Sequence, residues 1–211
     1  ENVFSVKSEV IIMIPKIIHY CWFGGKDKPK EVVQCIESWK KYLPEYKIIE
    51  WNENNFDINT ENQYVKEAYE CKKWAFVSDY VRLLALYQHG GVYFDTDVEV
   101  FRSFDPLLNN SCFMGFESKD YVATAVIGCE KGNKLIETFL LSYNSRSFCK
   151  SDGLTDTTTN VVMLTRLLER NGKLRLVKRF FVGILRNTIG TDSLSSISRL
   201  KGRVENRKVR R

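Results

Sequence analysis

Short apolar runs alternate along the chain with longer segments in which apolar residues recur every third or fourth position. The short runs predict β-strands, at residues 16–21, 46–51, 92–94, 112–116 and 122–129. The longer segments predict helices, at residues 29–43, 64–71, 75–88, 135–143 and 160–170. Glycine pairs and an Asn-rich stretch separate several of these elements. The alternation predicts an α/β fold in which helices flank a mostly parallel, twisted, Rossmann-like sheet.

The length and composition fit one globular domain with short additions at both ends. With 211 residues, 44% apolar and 27% charged, the chain can bury a full core. We expect a leader at residues 1–13, a domain at 14–176 and a basic C-terminal tail at 177–211. No apolar run approaches the roughly 18–20 residues of a membrane span. The six cysteines form no CxxC pair, which favours free thiols in a cytoplasmic protein over a zinc site or a disulfide framework.

The charge of the chain is unevenly distributed. From Lys173 onward there are 12 Lys and Arg against 2 Asp and Glu, whereas the preceding residues carry 20 against 24. The tail is interpreted either as a solvated end or as a segment that contacts anionic lipid on the cytoplasmic face of a membrane, or a polyanionic acceptor. No nucleic-acid-binding module accompanies it, so we do not expect a nucleic-acid partner.

Two acidic residues, Asp95 and Asp97, directly follow the predicted strand at 92–94. Ligands of open α/β sheets bind at this edge, and alternation along an extended backbone would point both carboxylates to one side. Two converging carboxylates suit a hard cation such as Mg²⁺ or Mn²⁺, which prefers oxygen ligands. The alternative is a pair of acidic side chains on a solvated turn.

The preceding helix carries polar residues at otherwise apolar positions. Asp79 and Arg82 lie three residues apart, so they share one helix face, and Ser78 adjoins them. A surface ion pair is the simple interpretation. A charged pair within a buried helix, however, needs a further partner, and the hydroxyls of a sugar would serve as one.

Three segments together resemble the DXD sugar-binding glycosyltransferases of family 32. Residues 75–100, AFVSDYVRLLALYQHGGVYFDTDVEV, resemble the signature of that family. Residues 14–25, IPKIIHYCWFGG, resemble its first strand and nucleotide loop, and residues 38–53, SWKKYLPEYKIIEWNE, resemble its second strand. The three segments occur in the family's order and lie within the first 130 residues.

The resemblance implies a GT-A fold, a UDP- or GDP-hexose donor, Mn²⁺ or Mg²⁺, and transfer with retention of configuration to a glycan or lipid-linked acceptor, as in bacterial capsule and surface polysaccharide synthesis. It assigns Asp95 and Asp97 to the metal and to catalysis. The donor-binding residues that it implies are Trp22, Ser78, Asp79, Arg82 and Tyr93. Trp22 would lie against the nucleobase, although a Trp after a strand is also a common core residue.

The C-terminal part departs from the family pattern. Family members end with a short motif that contains His and Trp, whereas this chain has only His19 and His89 and no Trp after Trp74. A domain that binds nucleotide-sugar without turnover is therefore an alternative to an active transferase. A phosphatase of the haloacid-dehalogenase type also places DxD after a strand, but Glu99 stands where it requires Thr or Val. We expect His19 to be structural.

Overall fold

The structure is a computed structural model that describes residues 13–59 and 62–172. The chain divides into two compact units, residues 1–167 and 168–211. Of the second unit the structure describes only residues 168–172, which end a helix and form the following turn. The predicted leader, apart from Met13, and the predicted basic tail lie outside the described residues.

Five strands form one sheet. They are β1 (Ile17–Cys21), β2 (Lys47–Trp51), β3 (Gly91–Phe94), β4 (Cys112–Phe116) and β5 (Val122–Cys129). Their order is β2-β1-β3-β5-β4, with β1 parallel to β2 and β3, and β5 antiparallel to β3 and β4. Four strands therefore run in one direction and only β5 is reversed. Residues 117–121 are too few for a crossover, so β4 and β5 form a hairpin.

The helices are α1 (Lys30–Tyr42), α2 (Gln63–Glu70), α3 (Trp74–His89), α4 (Lys134–Leu141) and α5 (Asn160–Arg170). The sequence predicted each to within one residue, apart from the end of α4. There the chain continues as the 3₁₀ helix Ser142–Ser145. Gly90 ends α3 with a positive φ of 67°, where a side chain would collide with the backbone nitrogen of Lys131. No helix of the described ranges has the length and apolarity to cross a membrane.

Alternation along the strands assigns side chains to the two faces of the sheet. Five buried strand residues belong to the main hydrophobic core together with residues of α1: Ile18, Tyr20, Val92, Phe94 and Phe113. Cys21 and Tyr93 alternate with them, so they lie on the opposite face, where both interact with Arg82 of α3. The face that α3 covers therefore combines apolar packing with a buried charge.

His19 is structural, as predicted. It is fully buried, and its Nδ1 accepts a hydrogen bond from the Trp51 indole nitrogen at 3.1 Å. Its Nε2 therefore carries the proton and donates to the Gly90 carbonyl oxygen at 2.8 Å. Burial lowers the pKa of His19 to about 4, which keeps the ring neutral at physiological pH.

Candidate functional site

Three loops leave the sheet at the carboxyl ends of neighbouring parallel strands. Residues 22–25 follow β1, residues 52–55 follow β2 and residues 95–98 follow β3. The loops after β1 and β2 are joined directly, because the Trp22 backbone N–H donates to the Trp51 carbonyl oxygen at 2.9 Å and the Gly24 N–H donates to Glu53 Oε1 at 2.7 Å. This edge is where α/β sheets of this kind bind ligands.

Arg82 lies at the centre of a buried charge cluster on the α3 face. Its Nη2 is 2.9 Å from Asp79 Oδ1 and 3.1 Å from Asp95 Oδ1. Its Nη1 donates to the Thr124 carbonyl oxygen at 2.8 Å, and its Nε lies 3.4 Å from the Ser78 carbonyl oxygen. The predicted need of the Asp79–Arg82 pair for a further partner is thus met within the protein. Arg82 fixes the positions of two carboxylates at once.

Tyr93 supports Arg82 from the sheet. The guanidinium carbon of Arg82 lies 4.6 Å from the centre of the Tyr93 ring, a cation–π distance. Tyr93 is almost fully buried, and Cys21 is buried beside it. Burial raises the pKa of the Cys21 thiol to about 12, so this thiol is protonated and acts as a packing residue. We call Asp79, Arg82, Tyr93 and Asp95 the Arg82 cluster.

The two carboxylates of the Arg82 cluster are less acidic than usual. Burial raises the pKa of Asp79 to about 6; the charge of Asp95 adds to this effect, and Arg82 only partly offsets it. Burial also raises the pKa of Asp95, and the charge of Asp97 contributes. Closely spaced carboxylates whose pKa values stay raised despite a neighbouring arginine are typical of sites that bind a charged ligand.

Asp95 and Asp97 lie on a turn, because β3 ends at Phe94. The Asp95 N–H donates to the Ala125 carbonyl oxygen at 2.8 Å, and the Val98 N–H donates to the Asp95 carbonyl oxygen at 3.0 Å. Alternation on an extended strand therefore explains the direction of Asp95, two residues after Tyr93, but not that of Asp97. Asp97 is exposed, and its charge raises the pKa of Asp95, its neighbour on the turn. The turn, and not alternation along an extended strand, makes the two carboxylates neighbours.

Trp22 lies half-buried on the loop after β1. Its indole nitrogen donates to the Lys26 carbonyl oxygen at 2.6 Å, and Lys28 Nζ lies 5.7 Å from the centre of its ring. Two residues later, Gly24 has a φ of 92°, and a Cβ there would lie 2.6 Å from Nε1 of Trp74. The loop thus brings two indoles to the same edge, and only glycine fits where it meets Trp74.

Sequence reasoning missed two contributors to the Arg82 cluster. The Thr124 acceptor is a backbone carbonyl on β5, and no side-chain pattern identifies it. Asn160, the first residue of α5, is fully buried and donates from Nδ2 to the Asp79 carbonyl oxygen at 2.7 Å, while Tyr143 donates to its Oδ1 at 2.5 Å. An asparagine before an apolar helix resembles a simple helix start, so the sequence indicates its place but not this contact.

If a metal binds at the turn, Asp95 and Asp97 would supply only part of its coordination sphere. Within residues 13–59 and 62–172, no three His, Cys, Asp or Glu side chains are grouped to hold an ion by themselves. Mg²⁺ and Mn²⁺ fit such a partial site, since they commonly take one or two carboxylates and complete their shell with phosphate and water. The donor set therefore suits a cation that binds together with a diphosphate.

Comparison with known proteins identifies the region that contains this cluster. Residues 29–114 match the model of a family described as glycosyltransferase sugar-binding region containing DXD motif. The match includes Ser78, Asp79, Arg82, Tyr93 and both aspartates of the turn, and it leaves Trp22 outside.

Two known proteins are similar in sequence to parts of the chain. Inositol phosphoceramide mannosyltransferase 3 of Schizosaccharomyces pombe is 29% identical over 126 residues, which cover 58% of this chain and 35% of that protein. Subversion of eukaryotic traffic protein A of Legionella pneumophila is 25% identical over 158 residues, which cover 59% of this chain and 24% of that protein. The chain thus spans about a third or less of the length of these relatives.

A solved structure shares the fold. The PaToxG glycosyltransferase superposes with a TM-score of 0.60 at 18% sequence identity, and the match covers 82% of this chain and 76% of the other. This likeness establishes the α/β architecture of a GT-A glycosyltransferase, as the sequence predicted. The family model, over residues 29–114, agrees with the resemblance to family 32 that the sequence indicated, and the mannosyltransferase relative is similar to part of the chain.

Proposed function

We propose, from the premise that this chain carries a family-32-like glycosyltransferase region, that it transfers a hexose from a UDP- or GDP-hexose to a glycan or lipid-linked acceptor with retention of configuration. In this proposal the reaction is a step in the synthesis of a bacterial surface polysaccharide such as a capsule, and the protein works in the cytoplasm. The S. pombe relative is named as an inositol phosphoceramide mannosyltransferase, and that name favours a lipid-linked acceptor.

The observation that carries the proposal is the Arg82 cluster beside the acidic turn. Asp79 and Asp95 are held at 2.9 and 3.1 Å from one guanidinium nitrogen, at the edge where the parallel strands end. Asp95 is about one-third exposed, and Asp97 is exposed. The cluster therefore presents oxygen atoms outward from a rigid, buried base.

Asp95 and Asp97 would hold the divalent cation. Bound there, Mn²⁺ or Mg²⁺ would neutralise the negative charge that the diphosphate gains as its bond to the sugar breaks. Both residues are acceptors only, so they cannot bind the diphosphate directly without repulsion. We therefore assign catalysis to this pair through charge balance, and not through proton transfer.

The remaining residues would bind and orient the donor. The Asp79 carboxylate, 13% exposed, would accept hydrogen bonds from sugar hydroxyls. Arg82, with protein acceptors already on its Nε, Nη1 and Nη2, would act mainly by fixing Asp79 and Asp95, and Tyr93 would support it. Ser78 would line the pocket beside Asp79, and Trp22 would lie against the nucleobase. We assign none of these groups as a covalent nucleophile, so in this proposal the acceptor hydroxyl attacks from the face that the diphosphate leaves.

Turnover of a donor panel tests the proposal. The full chain would be incubated with UDP- and GDP-hexoses, with and without Mn²⁺, and release of nucleoside diphosphate would be measured. We expect one donor class to be consumed only when the metal is present, and activity to disappear with a chelator. Metal-dependent binding without any release or transfer would favour the non-catalytic alternative. If no donor is bound and none is consumed, the assignment of the site is overturned.

A further inference from the structure

Two cysteines far apart in sequence meet on the surface. Cys71 and Cys149 are both exposed free thiols, and their sulfur atoms are 3.8 Å apart. A disulfide requires about 2.05 Å, so a side-chain adjustment of roughly 2 Å separates the pair from a bond. The lack of a CxxC pair predicted free thiols, and the two that meet here are 78 positions apart in the sequence.

Cys71 lies on a fixed element. It caps the C-terminus of α2, where its backbone N–H donates to the Glu67 carbonyl oxygen at 3.0 Å. One turn earlier, the Glu67 side chain accepts from the backbone N–H of Cys149 at 2.8 Å. The same helix end therefore positions both cysteines.

Cys149 lies on a hairpin that is anchored on both sides. Cys149 pairs with Thr155, and Asp156 N–H donates to the Phe148 carbonyl oxygen at 2.7 Å. Phe148 is fully buried against Tyr64 of α2, with ring centres 5.5 Å apart. These contacts hold the second thiol against the first, which gives the pair a high effective concentration for one another.

We propose that Cys71 and Cys149 form a reversible dithiol–disulfide site that reacts with small-molecule disulfides such as glutathione disulfide. In the first step one thiolate attacks the glutathione disulfide, forms a mixed disulfide and releases one glutathione thiolate, which takes up a proton. In the second step the other cysteine, as thiolate, attacks the protein sulfur and releases the second glutathione. The two cysteines are oxidised, and one glutathione disulfide is reduced to two glutathiones.

The reactivity of the pair fits slow exchange with such a pool. Partial desolvation of the sulfur by its neighbours raises the pKa of Cys149, and hydrogen bonding to Cys71 and the charges of Cys71, Glu67 and Glu70 act in the same direction. The thiol form therefore predominates at neutral pH, unlike the activated thiolate of a catalytic cysteine. The product would tie the end of α2 to the hairpin at residues 148–156, which precedes Asn160.

Peptide mapping of the full chain tests this site. Reduced protein would be incubated with glutathione disulfide, its remaining thiols blocked with N-ethylmaleimide, and the digest analysed by mass spectrometry. We expect a peptide pair joined through Cys71 and Cys149, two hydrogens lighter than the separate peptides, which dithiothreitol separates. Within one chain, the bond should also raise the melting temperature by roughly 5–10 °C over the reduced protein.

Variants provide the controls. In Cys71→Ser and Cys149→Ser the remaining cysteine should carry one glutathione, and neither variant should show the rise in melting temperature. Cys112→Ser, which removes a thiol elsewhere in the sheet, should form the linked peptide as the wild type does. Glutathione on both Cys71 and Cys149 of the wild type without the linked peptide, or a bond between two chains, would overturn the proposal.

Discussion

Two arginines, Arg82, which is buried, and Arg146, which is partly buried, have similar neighbours but lie in different electrostatic settings. Arg82 contacts Asp79 and Asp95 and stacks on Tyr93. The second cluster, which we call the Arg146 cluster, joins Arg146 to Asp156 at 2.8 Å and stacks its guanidinium on Tyr64 and Tyr143 at 4.4 and 4.7 Å. In each cluster a guanidinium lies between carboxylate and aromatic ring.

The acidity of the carboxylates distinguishes the two clusters. Burial acts to raise the pKa of Asp156, but hydrogen bonds from Thr158 and Arg146 outweigh it, and the pKa lies below its usual value. The pKa values of Asp79 and Asp95 are raised, because burial, together with the charge of Asp95 acting on Asp79 and that of Asp97 acting on Asp95, outweighs Arg82. The Arg146 cluster is thus electrostatically satisfied and holds a loop, whereas the Arg82 cluster still favours an additional positive charge.

Replacement of acidic residues should give the largest difference between the clusters. Asp97→Asn should lower kcat/KM about 1,000-fold or more with little change in unfolding free energy, because this exposed carboxylate acts on the bound donor. Asp156→Asn should destabilise the fold by about 2–3 kcal/mol and leave turnover per folded molecule within about threefold, because it breaks a partly buried ion pair away from the acidic residues of the turn. Donor kinetics and urea unfolding measure both. An exposed control, Glu31→Gln, should change neither, and equal turnover of Asp97→Asn and wild type would contradict the assignment.

Replacement of the arginines should give a similar loss of stability but different effects on binding. Arg82→Met and Arg146→Met should each lower the unfolding free energy by about 3 kcal/mol, because each leaves a partly buried carboxylate without its arginine. Only Arg82→Met should also abolish metal-dependent nucleotide binding, which calorimetry would measure. Arg82→Lys, which keeps the charge, serves where the Met variant does not fold. Normal binding by both Arg82 variants would show that the two clusters do not differ in function.

Titration should give the smallest difference. In the metal-free chain, NMR of the carboxyl carbons should give Asp79 a midpoint near pH 6 and Asp156 a midpoint below its usual range. Because the pKa of Asp79 is raised on folding, the folded chain binds more protons between about pH 4 and 6. Relative to Asp79→Asn, the wild type should therefore gain roughly 1 kcal/mol of stability from pH 7 to pH 5. A midpoint for Asp79 near 4 would remove the electrostatic contrast.

The sequence predicted the elements more completely than the contacts of the site. Hydrophobic periodicity located the strands and helices nearly to the residue, and the spacing of Asp79 and Arg82 placed them on one helix face. The sequence could not indicate that the partners of Arg82 are Asp95 and the Thr124 carbonyl, because these contacts depend on how α3 packs on the sheet. The sequence could not indicate the contact between Cys71 and Cys149 either, because it depends on how the hairpin packs against α2.

The proposed function requires that Asp95 and Asp97 bind a nucleoside diphosphate through a divalent cation. Isothermal titration of the full chain with UDP and GDP, with and without Mn²⁺, in wild type and Asp97→Asn, tests it most directly. We expect one nucleotide to bind the wild type only when Mn²⁺ is present and to show no binding to the variant. Equal binding without metal, or undiminished metal-dependent binding by Asp97→Asn, would contradict the claim.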